Sequence, residues 1–122
     1  MIGLPAALSG ERLEFQSRAG RLSYYVAGSG PPLLLVHSVN AAACAAEVRP
    51  LHERYRSGRT VFSLELPGYG FSERSDRDYT PRLMTDAILT MVEVIQARCG
   101  PGAIDALALS LSCEFLARAA NE

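Results

Sequence analysis

The stretch ALALSLSCEF, residues 106–115, decides how the rest of the chain is interpreted. An apolar run over residues 103–109 has the length of a buried strand, and a helix-like segment follows it. Ser110 stands at the junction, with the small residues Ala108 and Ser112 two positions away on each side. Ser110 is therefore either a reactive hydroxyl on a tight strand-to-helix turn or an N-cap of the helix. This segment alone leaves both roles open.

Outward from this junction, strand and helix patterns alternate along the chain. The sequence predicts strands over residues 11–17, 21–28, 33–37, 60–66 and 103–109, and helices over residues 50–55, 82–98 and 110–120. The first two strands are expected to form an antiparallel hairpin with a tight turn at Ala19-Gly20. This order predicts an α/β fold with a mostly parallel sheet and helices on both faces. Ligands in such sheets bind beyond the carboxyl ends of the strands, where His37, Pro67 and Ser110 fall.

Composition excludes several functional classes. The 122 residues suit one domain, and 12 basic against 13 acidic residues give a net charge of −1. This balance predicts neither a nucleic-acid partner nor an anionic membrane partner. No window approaches the roughly 20 apolar residues of a membrane span. The first ten residues lack the basic segment of a signal peptide, so a cytoplasmic location is expected.

Neither a metal nor a cofactor is expected. The three cysteines, Cys44, Cys99 and Cys113, form no C-x-x-C pair, so each is predicted to be a small buried residue rather than a zinc or disulfide partner. Asp76 and Asp78 lack metal-ligand spacing. The glycine-rich segments at residues 28–32 and 68–73 also fail as phosphate loops. The first precedes a strand, and the second lacks the third glycine of G-x-G-x-x-G.

Three segments in order, LLLVHSVN (33–40), ELPGYGFSE (65–73) and ALSLS (108–112), resemble the α/β-hydrolase family. The resemblance implies that residues 1–122 form a single incomplete domain, the N-terminal half of that fold. It also implies that Ser110 is the nucleophile. A register with Ser112 as nucleophile would put Glu114 at a position where the family's sharp turn needs a small side chain.

The resemblance also assigns roles to the first of these loops. It implies an oxyanion hole made by the backbone N–H groups of Val39 and Leu111. His37 is expected to hold the loop by hydrogen bonding rather than to act as a base, and Ser38 stands where the family usually has glycine. Asn40 is expected either to add a side-chain donor or to line the pocket.

The loop over residues 66–72 is expected to be structural, with Tyr69 and Phe71 as pocket walls. His52, beside Glu53 and Arg54, is expected to be a solvated surface residue.

The catalytic machinery implied by the family is incomplete in these 122 residues. No His follows Ser110, and of the later acidic residues Glu114 does not match the family's acid. The expectation is a truncated serine hydrolase that cleaves an ester, thioester, amide or C–C bond of a small acyl-type substrate through Ser110. Ser rather than Asp at this position argues against epoxide hydrolases and haloalkane dehalogenases. The alternative is a non-catalytic interaction module with the same half-fold, and an exposed sheet edge makes self-association an expectation in either case.

Overall fold

A computed structural model describes residues 6–40 and 43–122. Its elements follow the predicted order: β1 (Glu11–Ser17), β2 (Gly20–Ala27), β3 (Pro32–Val36), a 3₁₀ helix (Ala45–Val48), α1 (Arg49–Tyr55), β4 (Thr60–Glu65), α2 (Pro81–Cys99), β5 (Asp105–Ala108) and α3 (Ser112–Ala120). The largest boundary differences lie at β5 and at the start of α3. β5 begins two residues later than the predicted strand, at Asp105. It ends one residue earlier, and α3 begins two residues later than predicted, because residues 109–111 form the turn between them.

The five strands form one mixed sheet in the order β1-β2-β4-β3-β5. β3 pairs in parallel with both β4 and β5, whereas β2 is antiparallel to both β1 and β4. All strands except β2 therefore point the same way, and the α/β class and the opening hairpin are confirmed. The hairpin turn lies at Arg18-Ala19 rather than at Ala19-Gly20, and Gly20 opens β2 with a φ of +100°.

Helices cover both faces of the sheet, as expected. On one face, α2 and α3 bury their apolar stripes against the sheet in a core that includes Leu34, Phe62, Leu64, Ile88, Met91 and Phe115. On the other face, the 3₁₀ helix and α1 cover a smaller cluster that includes Tyr25, Leu33, Leu35, Val48 and Val61. The β3 side chains alternate between the two clusters, which is why this strand is apolar throughout.

Strand register brings three loops to one edge of the sheet. Val36, the last residue of β3, is paired with Leu64 on one side and Ala108 on the other. The chain leaves the sheet just after each of these positions. The loops that begin at His37, Leu66 and Leu109 therefore start side by side, as predicted for the carboxyl ends of parallel strands.

β5 ends the sheet and is the least buried strand. Asp105, Ala106 and Leu107 are exposed, and Leu107 retains 37% of its accessible surface. Within residues 6–40 and 43–122, β5 has a strand neighbour on one side only. None of the described helices is long and apolar enough to cross a membrane.

The prediction that the cysteines are buried is wrong. Cys99 and Cys113 are exposed and Cys44 is half-buried. Cys99 is the last residue of α2, and Cys113 lies beside the buried stripe of α3 rather than in it.

Candidate active site

Ser110 occupies a sharp turn between β5 and α3. It has a φ of +56° and is the one non-glycine residue with a positive φ in the described part of the chain. This left-handed conformation costs an L-residue about 1–2 kcal/mol. The turn is closed by hydrogen bonds from Ser112 N–H to the Leu109 carbonyl (3.1 Å) and from Cys113 N–H to the Ser110 carbonyl (3.0 Å). The Ser110 side chain is presented to solvent at the carboxyl edge of the sheet.

The N-cap alternative for Ser110 is wrong. The N-cap position of α3 is taken by Leu111, and no side chain caps the helix there. A capping serine has an extended backbone and accepts a hydrogen bond from the first helical turn. Ser110 has neither property, so capping explains neither its identity nor its conformation.

Ser112 has a structural role at the same turn. It is fully buried, and its hydroxyl donates a hydrogen bond of 2.6 Å to the carbonyl oxygen of His37. The hydroxyl of Ser112 is therefore occupied, whereas Ser110 is exposed. This contrast favours Ser110 over Ser112 as the reactive position.

His37 is completely buried with both ring nitrogens bonded. Its Nε2 accepts a hydrogen bond from the backbone N–H of Leu66 (3.0 Å), and its Nδ1 lies 2.6 Å from the carbonyl oxygen of Ser38. A backbone N–H can only donate and a carbonyl can only accept, so the proton must be on Nδ1. Burial holds the pKa of His37 below its usual value. His37 is therefore a neutral residue that stabilises the loop after β3, and neither of its ring nitrogens is available as a base.

The hydrogen bond from His37 also orients the next peptide unit. The Ser38 carbonyl and the Val39 N–H belong to one planar trans peptide and point in opposite directions. Fixing the carbonyl on the His37 ring therefore fixes the direction of the Val39 N–H. Val39 and Leu111 each lie three residues beyond the paired Val36 and Ala108. Within the described residues, neither N–H group has a hydrogen-bond partner.

A carboxylate that the sequence did not single out holds the same loop. Glu47, on the 3₁₀ helix, accepts hydrogen bonds from the Ser38 N–H (3.0 Å) and from the Ser38 hydroxyl (2.7 and 2.8 Å to its two oxygens). Asn40 donates to the Ser38 hydroxyl oxygen at 2.9 Å. Ser38 has no positive φ, so its backbone does not require the usual glycine. No motif signals Glu47, which stands among small residues nine positions after Ser38.

The loop after β4 is built around a buried carboxylate. Glu65 is 1% exposed and accepts a hydrogen bond from the backbone N–H of Phe71 (2.9 Å). Gly70 has a φ of +54°, and a Cβ at this position would lie 1.7 Å from a Glu65 carboxylate oxygen. The rings of Tyr69 and His37 make a T-shaped contact, with centroids 5.1 Å apart. The structural role expected of this loop is consistent with these contacts.

A cavity of about 940 Å³ opens between the loops after β3 and β4. Asn40, Glu65, Tyr69 and Phe71 are among its lining residues, as expected for the aromatic pair, whereas Ser110 is not. The exposed turn at Ser110 and this cavity are therefore separate features of the same edge of the sheet. In residues 6–40 and 43–122, no group of His, Cys, Asp and Glu side chains is arranged to hold a metal ion.

The expectation that His52 is a solvated surface residue is wrong. His52 on α1 and Val48, four residues earlier at the end of the 3₁₀ helix, are both fully buried. His52 is fully buried: its Nε2 donates to the Ser9 carbonyl (3.0 Å) and its Nδ1 accepts from the Ser63 hydroxyl (2.9 Å). Burial lowers the pKa of His52. Glu53 and Arg54, the polar residues that follow His52 in sequence, are exposed. Their polarity is the reason that the sequence suggested an exposed His52.

No protein-family model matches the chain. Several solved structures are nevertheless similar in backbone. One, from Burkholderia ambifaria, is described as an α/β-hydrolase fold protein and has a TM-score of 0.71 at 22% identity; the similarity covers 88% of this chain and 37% of that one.

The chain has the α/β-hydrolase fold.

Two further α/β-hydrolase structures give the extent of the match. An N-formylmaleamic acid deformylase from Pseudomonas putida has a TM-score of 0.77 at 22% identity, covering 90% of this chain and 41% of that one. An epoxide hydrolase from Vigna radiata has a TM-score of 0.77 at 18% identity, covering 89% and 34%. The present chain therefore spans roughly two fifths or less of the length of these neighbours and carries part of the α/β-hydrolase fold.

Proposed function

We propose that this chain contributes the nucleophile and the oxyanion hole of a serine hydrolase that acts by acyl transfer. In this proposal the Ser110 oxygen attacks an acyl carbon, and the N–H groups of Val39 and Leu111 bind the negative oxygen of the tetrahedral intermediate. The observation that carries the proposal is the left-handed backbone of Ser110, held between β5 and α3 with its side chain in solvent. Strain of this kind persists where a fold holds a reactive group in place.

A serine hydroxyl needs a base, and neither described histidine is suited to that role. The ring nitrogens of His37 are bonded to Leu66 and Ser38. Those of His52 are bonded to Ser9 and Ser63. We therefore propose that the base, and the acid that orients it, come from outside these 122 residues. This is consistent with the short span of the chain relative to its structural neighbours.

The proposed substrate is a small molecule with an acyl group, such as an ester, thioester or amide. One neighbour is named as a deformylase and another as an epoxide hydrolase, so neighbours with this fold differ in chemistry. A serine at the turn favours acyl transfer, because the serine oxygen forms an ester with the acyl group that water can then hydrolyse.

The test supplies the missing base externally. The chain is incubated with a fluorophosphonate, which reacts with activated serines, in the presence and absence of imidazole. Imidazole is expected to accelerate modification of Ser110, located by peptide mass spectrometry, whereas Ser110→Ala acquires no label at this peptide. Without imidazole, hydrolysis of p-nitrophenyl esters is expected to be no faster than for Ser110→Ala.

Two outcomes would contradict the proposal. Labelling at Ser112 would mean that the reactive position is wrong. If Ser110 stays unlabelled at every imidazole concentration while the chain is folded, the turn is not a nucleophile site. The non-catalytic interaction module would then be the better interpretation.

A further inference from the structure

The loop that carries the Val39 N–H is held by hydrogen bonds at the three polar backbone groups that directly precede it. The peptide unit between His37 and Ser38 has its carbonyl bonded to Ser112 (2.6 Å) and its N–H bonded to Glu47 (3.0 Å). The next unit has its carbonyl bonded to His37 (2.6 Å). The N–H of Val39, the next polar backbone group along the chain, has no hydrogen-bond partner among the described residues.

Glu47 holds Ser38 from outside both the loop after β3 and the turn after β5. It belongs to the 3₁₀ helix, whose residues Ala45 and Val48 are fully buried under the sheet. The backbone that carries Glu47 is therefore anchored in the core. The two carboxylate oxygens of Glu47 accept hydrogen bonds from both donors of Ser38, the N–H and the hydroxyl. Hydrogen bonds to a charged acceptor are about twice as strong as neutral ones.

We propose that Glu47 is a positioning residue for the oxyanion hole: by holding Ser38 through its N–H and hydroxyl, it keeps the Ser38 carbonyl on the His37 ring and so maintains the direction in which the Val39 N–H points. The ligand of that N–H would be the negative oxygen of an acyl or phosphonyl group bound to Ser110, so this inference rests on the serine hydrolase proposed above. It also assigns a role to Ser38. A glycine here would keep the N–H contact with Glu47 but lose the hydroxyl contact.

The sign of the effect separates positioning from charge. A carboxylate near a developing negative charge repels it, so a purely electrostatic role predicts that neutralising Glu47 accelerates reaction at Ser110. Positioning predicts the opposite, because a misdirected donor no longer reaches the oxyanion. Loss of one complete oxyanion donor slows an enzyme by about 100–1,000-fold, so partial misalignment is expected to cost about 10-fold or more.

The experiment measures the rate of Ser110 labelling by the fluorophosphonate at a fixed imidazole concentration. Glu47→Ala is expected to react about 10-fold or more slowly than the native chain, and Glu47→Gln, which keeps one acceptor oxygen, should lie between them. Glu93→Gln is the matched control. It removes one carboxylate from an exposed position on α2 where the described structure records no hydrogen bond or ion pair, and it should label at the native rate.

A second measurement follows the amide proton chemical shifts of the two proposed oxyanion-hole donors. In ¹⁵N-labelled native chain, phosphonylation of Ser110 is expected to move the Val39 and Leu111 amide protons downfield as they bond the phosphonyl oxygen. In Glu47→Gln the Val39 shift should shrink while the Leu111 shift persists. Melting temperatures of all variants identify any variant that fails to fold. If Glu47→Ala fails to fold, the test uses Glu47→Gln alone.

The outcomes distinguish the two proposals. Folded Glu47 variants that label at the native rate or faster, with an unchanged Val39 shift, would overturn the positioning role and leave the serine hydrolase standing. Absence of Ser110 labelling in the native chain would overturn both.

Discussion

The Ser112 hydroxyl donates a hydrogen bond of 2.6 Å to the His37 carbonyl, and this contact joins the turn after β5 to the loop after β3. The two residues are 75 positions apart in sequence and both are fully buried. The partner is a backbone carbonyl, which can only accept a hydrogen bond, so the contact requires a donor side chain at position 112. The site is fully buried, so that side chain must also be small. The proposed nucleophile and the proposed oxyanion loop are thereby held in one arrangement.

Ser112→Ala is expected to destabilise the fold. The substitution leaves the buried His37 carbonyl without this donor, which should lower the free energy of unfolding by about 1–3 kcal/mol. Urea denaturation followed by circular dichroism measures the change. Ser57→Ala, which removes an exposed hydroxyl bonded to the Arg54 carbonyl (3.2 Å), is the control and should change stability by less than about 0.5 kcal/mol. Equal effects at the two positions would contradict the prediction.

Ser110→Gly is expected to stabilise the chain while removing its proposed reactivity. Glycine adopts a φ of +56° without the steric cost borne by an L-residue, so the free energy of unfolding should rise by roughly 1 kcal/mol. Ser110→Ala retains the Cβ and should leave stability close to native. A lower melting temperature for the glycine variant than for the alanine variant would show that the turn is not strained.

Gly70→Ala is expected to be among the most damaging single substitutions in the loop after β4. The new Cβ would lie 1.7 Å from a Glu65 carboxylate oxygen at a φ of +54°, so the buried carboxylate or the loop must move. The expected loss in free energy of unfolding is about 2 kcal/mol or more. Gly102→Ala is the matched control, because a Cβ there meets nothing within 4 Å. A native melting temperature for Gly70→Ala would contradict this geometry.

Stability is expected to fall as the pH drops below about 6.5, the ordinary histidine pKa. Burial lowers the folded-state pKa of both His37 and His52, so below this pH the unfolded chain binds more protons than the folded one. Protonation therefore favours unfolding until the pH also passes below the folded-state values. Melting temperature measured between about pH 7.5 and pH 5 should decline by roughly 5 °C or more.

His52→Gln removes one of these two groups and serves as the control. Its melting temperature should depend less steeply on pH over the same interval than that of the native chain. An identical slope would mean that His52 does not contribute to the pH dependence.

The open edge of β5 is expected to promote self-association of this chain. Leu107 is 37% exposed on a strand that pairs on one side only within the described residues. Sedimentation velocity should show concentration-dependent association that Leu107→Lys reduces. Tyr55→Lys, at a residue 40% exposed on α1, should leave the association unchanged. A native chain that stays monomeric at high concentration would contradict the prediction.

The fold was predictable because its signals are local. Apolar runs such as residues 33–36 and the helical spacing of residues 83–95 give the order of elements, and that order gives the sheet edge where the candidate site lies. The turn at Ser110 was also predictable from sequence, because a turn that sharp leaves a pattern of small flanking residues. The role of Ser110 as nucleophile stays a prediction. The end of β5 was not predictable, since the apolar run continues through Leu109 into the turn.

The contacts of His52 and Glu47 depend on tertiary packing and leave no local pattern in the sequence. His52 lies among polar neighbours, and only the placement of α1 on β4 turns it inward. Glu47 contacts Ser38 because the 3₁₀ helix folds back beneath the loop, which composition does not reveal. Both cases concern polar side chains whose partners are distant in sequence or in another element.

The His37 ring has a consequence for how the sheet assembles. Its Nε2 requires a backbone donor from the end of β4, and Leu66 supplies it. The next residue, Pro67, has no N–H, so a slip of β4 by one position in that direction leaves the buried nitrogen with no donor. Since a buried polar atom without a partner is strongly disfavoured, the contact between His37 and Leu66 stabilises the observed register of β4 relative to that misaligned one.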